Sequence, residues 1–270
     1  MFSNAELHLA YKVANAPISG FPYPHCYVQD VFPADFYVEM QRNLPDPDAM
    51  IPIEEARQVK GYKERFVLEL KPEHLNGLPE QKQKFWSAFG AWLLSGPFQQ
   101  VLMGKFAPFV QARFKDAKNI QFYNEALLVQ DITDYKIGPH TDSPVKVITL
   151  LFYLPGDHSQ SHLGTSIYMP KEPNFRCQGG PHYPFDWFVR MVTMPFMPNS
   201  LFMFVKGDNS FHGVEPVGDP GCRRWLLLYD VYMRQVQVQS PYQFQFQPSV
   251  RATVQAVAPQ AAPSGPKFSF

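Results

Sequence analysis

The sequence predicts an α+β protein in which a helical layer supports an antiparallel β core. Helical periodicity is concentrated between Pro79 and Ala117, strand-like runs follow from Ile120 onward, and no segment repeats. With 270 residues, 45% hydrophobic and 15% aromatic, the chain has enough apolar material for one large core.

The elements can be justified in order. "FPYPHCYVQDVFPADFYVEMQRNLP" reads as a strand followed by a helix from about Ala34 to Asn43, with Pro33 and Asp35 as start signals. Residues 47–60 are polar and irregular. "YKERFVLEL" alternates as a strand, with Phe66, Leu68 and Leu70 on one face. Two helices follow: Phe85, Phe89, Trp92 and Leu93 mark the first, and Pro97 opens the second, which carries Phe98, Leu102, Phe106 and Val110. The strands are "IQFYNEALLVQDI", "KVITLLFYL", "TSIYM", "SLFMFV" and "RRWLLLYDVYM", separated by Gly, Pro and Asp. Residues 171–199, rich in Pro and Gly, are too long for a simple hairpin and read as a lid or a surface elaboration. The expected organisation is a single domain over 1–246, with an N-terminal strand and helical support in 1–117, a β core in 118–246 and a flexible tail at 247–270.

Lys plus Arg number 24 and Asp plus Glu 24, so no net field draws the chain toward nucleic acid or anionic lipid. Neither nucleic acid nor membrane is expected as a partner. Cys26, Cys177 and Cys222 are odd in number and far apart, which suits a reducing compartment. The N-terminal stretch lacks the features of a secretory signal, and no run reaches the roughly eighteen apolar residues of a membrane span, so the expected location is cytoplasmic.

Chemistry concentrates in "YKIGPHTDSPVKVITLLFYLP". His140 and Asp142 at a strand end face the same side, so an imidazole nitrogen and a carboxylate oxygen can meet one ion. As a bare pair this is common by chance and needs a third ligand. His212, in "SFHGVEPV" after another apolar strand, supplies one. Two histidines and one carboxylate on one face of an octahedral ion form the facial triad of non-heme Fe(II) oxygenases. The last strand opens with Arg223 and Arg224, which point to opposite faces, so only one can turn inward. A buried guanidinium needs an anionic partner, and a dicarboxylate would serve.

The ordered set "GPHTD", "VITLLFYLP", "LGTSIYMP", "SLFMFV", "SFHGVEPV" and "RRWLLLYDV" resembles the Fe(II)- and 2-oxoglutarate-dependent dioxygenases, most closely their prolyl-4-hydroxylase-like branch. The resemblance spans roughly residues 120–235 and implies a double-stranded β-helix (jelly-roll, cupin-like) core. It also implies that His140, Asp142 and His212 bind Fe(II), while Arg224 and Tyr153 hold the distal carboxylate of 2-oxoglutarate. Dioxygen and an unidentified substrate would complete the reaction, most simply a hydroxylation with release of succinate and CO2. A cupin-like metal enzyme that does not use 2-oxoglutarate, or a noncatalytic jelly-roll binding protein, are the competing expectations.

Other polar positions read as structural. His158 and His162 lie in a polar turn, Cys177 and His182 have no clustered partners, and Asp208 belongs to a "KGDN" turn. Arg176, Tyr183, Trp187 and Arg190 of the insertion are candidates for lining a substrate pocket or for packing a lid.

Overall fold

The computed structural model describes residues 3–235, so the expected tail at 247–270 lies outside the described residues. The chain runs through α1 (Ser3–Asn15), β1 (His25–Gln29), α2 (Ala34–Arg42), β2 (Ile51–Pro52), α3 (Ile53–Arg57), β3 (Arg65–Glu69) and α4 (Pro72–Leu75). It continues through α5 (Glu80–Leu93), α6 (Gly96–Lys105) and α7 (Ala107–Phe114) into β4 (Ile120–Ile132), β5 (Ile137–His140), β6 (Lys146–Tyr153) and β7 (Thr165–Pro170). The last strands are β8 (Phe188–Met194), β9 (Ser200–Val205), β10 (His212–Val214) and β11 (Arg223–Gln235).

The strands form two antiparallel sheets. The larger has the order β1-β9-β6-β11-β4-β3-β2 and the smaller β5-β10-β7-β8. Alternation along the large sheet divides its side chains between two apolar clusters. Ile148, Leu150 and Phe152 of β6 and Leu227, Tyr229 and Val231 of β11 pack with helix residues such as Leu9, Phe36, Trp86, Phe89 and Leu102. The opposite face, with Val67, Leu127, Val129, Phe202, Phe204 and Leu226, packs with Ile167 and Val214 of the small sheet. The expected mixture of helices and antiparallel strands is therefore present, with the large sheet in the middle.

Four local features differ from the sequence expectation. An amphipathic helix, α1, precedes the first strand and buries Ala5, Leu9 and Val13, a spacing of four residues that places them on one face. The irregular stretch 47–60 contains β2 and α3. The helical region holds α5, α6 and α7: Pro108 in the first turn of α7 has no N–H for the carbonyl of Gly104, so the helix restarts after Phe106. Finally, the insertion 171–199 contains β8, which pairs with β7 from Thr165↔Met194 to Pro170↔Phe188. Among the described residues no helix is long and apolar enough to cross a membrane.

Phe152 is fully buried and stacks on Phe32 with ring centroids 5.7 Å apart, linking β6 to the segment before α2. Phe152→Ala is expected to lower unfolding free energy by about 3–5 kcal/mol in a chemical-denaturation titration. A loss under about 1 kcal/mol would mean that this face of the sheet is not the core.

Candidate metal centre and anion pocket

His140 ends β5 and His212 begins β10, and the two are direct cross-strand partners. Their rings lie 4.4 Å apart between centroids. Asp142 follows β5 by two residues, and one ligand atom from each of His140, Asp142 and His212 lies within 4.8 Å of the others. All three side chains are buried.

Backbone carbonyls fix both imidazoles. His140 Nδ1 donates to the Gly138 carbonyl at 2.9 Å and His212 Nδ1 to the Ser210 carbonyl at 3.0 Å. Because a carbonyl only accepts, each Nδ1 carries the proton and each Nε2 keeps its lone pair. Burial, reinforced for His140 by neighbouring His212, pushes both imidazoles below their ordinary range, so they are neutral near pH 7. Burial alone would raise the Asp142 carboxyl, but Lys146, His212, His140 and the Thr149 hydroxyl together hold it well below the usual carboxylate range. Thr149 Oγ1 donates to Asp142 Oδ2 at 2.8 Å, and Lys146 Nζ stands 3.4 Å from Oδ1. Lys146 also pairs with Asp230 at 2.9 Å. Two neutral imidazoles and an ionised carboxylate are the donor set of a divalent transition ion, so the residues present fit such a metal.

The strand pair carrying the histidines has no room to spare. Between His212 and Val214 the register with β5 shifts, and a Cβ on Gly213 would lie 2.6 Å from the Ile137 carbonyl oxygen. Bulges of this kind re-aim side chains next to sites.

A cavity of about 120 Å³ runs from this cluster to the buried end of β11, lined by His140, Asp142 and His212 as well as by Thr165, Tyr135 and Arg224. Arg224 is 1% exposed, whereas Arg223 lies at the surface near Gln130. The parity of β11 explains this: Arg224, Leu226, Leu228 and Asp230 face the interior, and Leu227, Tyr229 and Val231 face the helices. The sequence expectation left an external dicarboxylate to neutralise the inward arginine. A side chain already does part of this, because Arg224 Nη1 donates to Asp131 Oδ2 at 2.7 Å and Nε to the Leu163 carbonyl at 2.7 Å. Arg65 takes both oxygens of the same carboxylate, Nε to Oδ1 at 2.6 Å and Nη2 to Oδ2 at 3.0 Å. The register places Arg65↔Asp131 and Arg224↔Asp131, so the three form one row across β3, β4 and β11. Two guanidiniums thus share one buried carboxylate, and Arg224 Nη2 has no partner.

Tyr153 is fully buried, and its hydroxyl accepts the Thr165 N–H at 3.2 Å. The Arg224 guanidinium lies 5.8 Å from its ring. Burial, against the nearby charge of Arg224, pushes its phenol up to about 12, so it stays protonated.

A second, more open cleft of about 550 Å³ also reaches the cluster and touches His140, Asp142, Lys146, Tyr62 and His182. His182, which the sequence marks only as structural, has its ring 4.5 Å from that of His140, with the Tyr62 hydroxyl 2.9 Å from Nε2. The loop bearing it is pressed onto β5: Tyr183 N–H donates to the Pro139 carbonyl at 3.0 Å, and Thr141 Oγ1 to the Cys177 carbonyl at 2.8 Å. Of the other insertion candidates, Arg190 faces Glu215, Trp187 stacks on Tyr183, and Arg176 bonds to the carbonyls of Pro173 and Phe175. His162 pairs with Asp219 at the surface, and Asp208 pairs with Lys206.

No protein-family model matches the chain, and no curated protein does. Solved structures do match. A prolyl-4-hydroxylase from Pseudomonas putida is 17% identical, with 83% of this chain and 98% of that one covered and a TM-score of 0.42. A prolyl hydroxylase from Trichoplax adhaerens, solved with a hypoxia inducible factor peptide fragment, is 11% identical over 84% and 88% of the two chains, TM-score 0.49. A 2OG-Fe(II) oxygenase family oxidoreductase from Burkholderia pseudomallei is 11% identical over 85% and 91%, TM-score 0.42. At such identities and TM-scores no chemistry transfers, and the site's own residues carry the reading.

Gly213→Ala is expected to push β10 away from β5 and weaken Co(II) binding at least about tenfold by calorimetry. Gly156→Ala, where an added Cβ meets nothing within 4 Å, is the control that should bind normally. Equal affinities would show that the His140–His212 pairing does not hold the ion.

Proposed function

We propose that the protein is an Fe(II)- and 2-oxoglutarate-dependent oxygenase that hydroxylates an unactivated C–H bond, built as a single catalytic domain on a double-stranded β-helix core. The observation that carries this reading is one cavity joining the buried His140, Asp142 and His212 cluster to a buried guanidinium with an unpartnered nitrogen. A divalent ion suits one end and a carboxylate the other. An α-keto dicarboxylate spans such a pair.

In this reading His140, Asp142 and His212 hold the iron, with Thr149 and Lys146 orienting Asp142. Arg224 and Tyr153 receive the far carboxylate of 2-oxoglutarate. When bound, iron and 2-oxoglutarate supply oxidative decarboxylation by dioxygen, so that R–H, O2 and 2-oxoglutarate become R–OH, succinate and CO2. The chain's own task is to position the ligands, keep the imidazole Nε2 atoms unprotonated and restrict water to a narrow cavity. The wider cleft beside Tyr62 and His182 is where the substrate would enter. Balanced charge and three buried free cysteines favour a cytoplasmic protein.

Fe(II) followed by 2-oxoglutarate, both without oxygen, should produce the weak visible charge-transfer band of the chelate. Folded, iron-loaded protein that gives no band would sink this reading in favour of a cupin-like enzyme without 2-oxoglutarate. A chain that retains no iron would point to a noncatalytic binding protein. Arg224→Ala should weaken 2-oxoglutarate about 10- to 100-fold, the range for losing a charged hydrogen bond, with iron affinity little changed. Arg223→Ala should leave both affinities as they were.

A further inference from the structure

We propose that Tyr135 is a further donor to the far carboxylate in this pocket, beside Arg224 and Tyr153, and is held in place by Arg65. This rests on the reading of the site as a 2-oxoglutarate pocket and adds to it a residue that neither the strand pattern nor the resemblance indicated.

Two of the five N–H donors of Arg224 are engaged inside the protein. Of its nitrogens, Nε is engaged by the Leu163 carbonyl and Nη1 by Asp131. Either fork of a guanidinium uses one of those two together with Nη2. Only Nη2 keeps both of its hydrogens, so a carboxylate meets Arg224 chiefly there and its remaining oxygen is open to a donor from elsewhere.

Several buried side-chain polar atoms among the described residues have no hydrogen-bond partner, and only two of them belong to residues lining the cavity. They are Arg224 Nη2 and the Tyr135 hydroxyl. Tyr135 is fully buried. A buried donor left unmade costs about 1–3 kcal/mol, so two on residues that line one cavity mark a place suited to an acceptor. Burial, outweighing the nearby charge of Arg65, raises the Tyr135 phenol and keeps it a donor.

The row of charges fixes the ring. Arg65, anchored through two nitrogens on Asp131, places its guanidinium 4.3 Å from the centroid of the Tyr135 ring. The backbone is tied down too, because Tyr135 N–H donates to the Ile132 carbonyl at 3.1 Å and Val217 N–H to the Tyr135 carbonyl at 2.9 Å. Arg65 is thus a positioning residue, and Asp131 holds it while also holding Arg224. The arrangement selects for a carboxylate at this end: the net charge of the row is positive, and both unpartnered groups donate.

The test compares two keto acids that share a chelating head. 2-Oxoglutarate has the far carboxylate, and 2-oxobutanoate does not. Iron-loaded Tyr135→Phe, titrated without oxygen, should bind 2-oxoglutarate about tenfold more weakly than the parent, with unchanged affinity for 2-oxobutanoate and for Fe(II). Equal losses for both keto acids, or a loss for neither, would overturn the proposal. Tyr153→Phe run alongside shows which tyrosine matters more, and a loss of 2-oxoglutarate selectivity confined to it would also overturn the proposal. A parent protein that gives no charge-transfer band with 2-oxoglutarate is a different failure, that of the cosubstrate assignment itself.

Discussion

The site depends on β11 being paired along both edges. With β4 on one side and β6 on the other, its side chains have only two destinations, the helical core or the space between the sheets. Arg224, Leu226, Leu228 and Asp230 go one way, and Leu227, Tyr229 and Val231 the other. A slip of one residue would turn Arg224 toward the helices and put its neighbour, Arg223 or Trp225, in its place opposite Asp131. The same apolar packing that stabilises the core therefore fixes the placement of the buried cation.

The buried charges fall into two unequal sets. Around the histidine cluster, Lys146 faces both Asp142 and Asp230. At the far end, Arg65 and Arg224 face Asp131 alone. Carboxyl groups predominate where a metal ion would add positive charge, and guanidiniums predominate where an anion would add negative charge. Burial of charge is costly unless it is compensated, so this asymmetry suits a cation at one end and an anion at the other. It also explains why one arginine is insufficient to describe the far end, since two of its five N–H donors are used inside the protein.

Much of this was legible in the sequence. His140 and Asp142 stand out by their spacing at a strand end, His212 by its place after an apolar strand, and the inward arginine by alternation along "RRWLLLYDV". What the sequence does not show depends on pairing across strands. Asp131 sits in an apolar run that gives no hint that it lies between Arg65 and Arg224, because only the register of β3, β4 and β11 brings the three together. Tyr135 is in a turn, where no periodicity tells which way a side chain faces. His182 belongs to a loop rich in Pro and Gly, and its position against His140 is set by backbone hydrogen bonds from its neighbours. α1 and the restart at Pro108 were readable from residue spacing and from proline's missing donor.

The tight seating of the 177–183 loop has a consequence for how such a protein could diversify. A Cβ on Gly138 would stand 2.6 Å from the Tyr183 carbonyl oxygen, and one on Gly179 would stand 2.6 Å from that of Asp142. Backbone therefore rests on backbone where the loop beside the cleft meets the strand that carries His140. Swapping this loop for another is not a modular exchange of surface. A graft that lacks glycine at position 179 would transmit its misfit straight to Asp142, so novelty in the loop and integrity of the His140–Asp142–His212 cluster are inherited together.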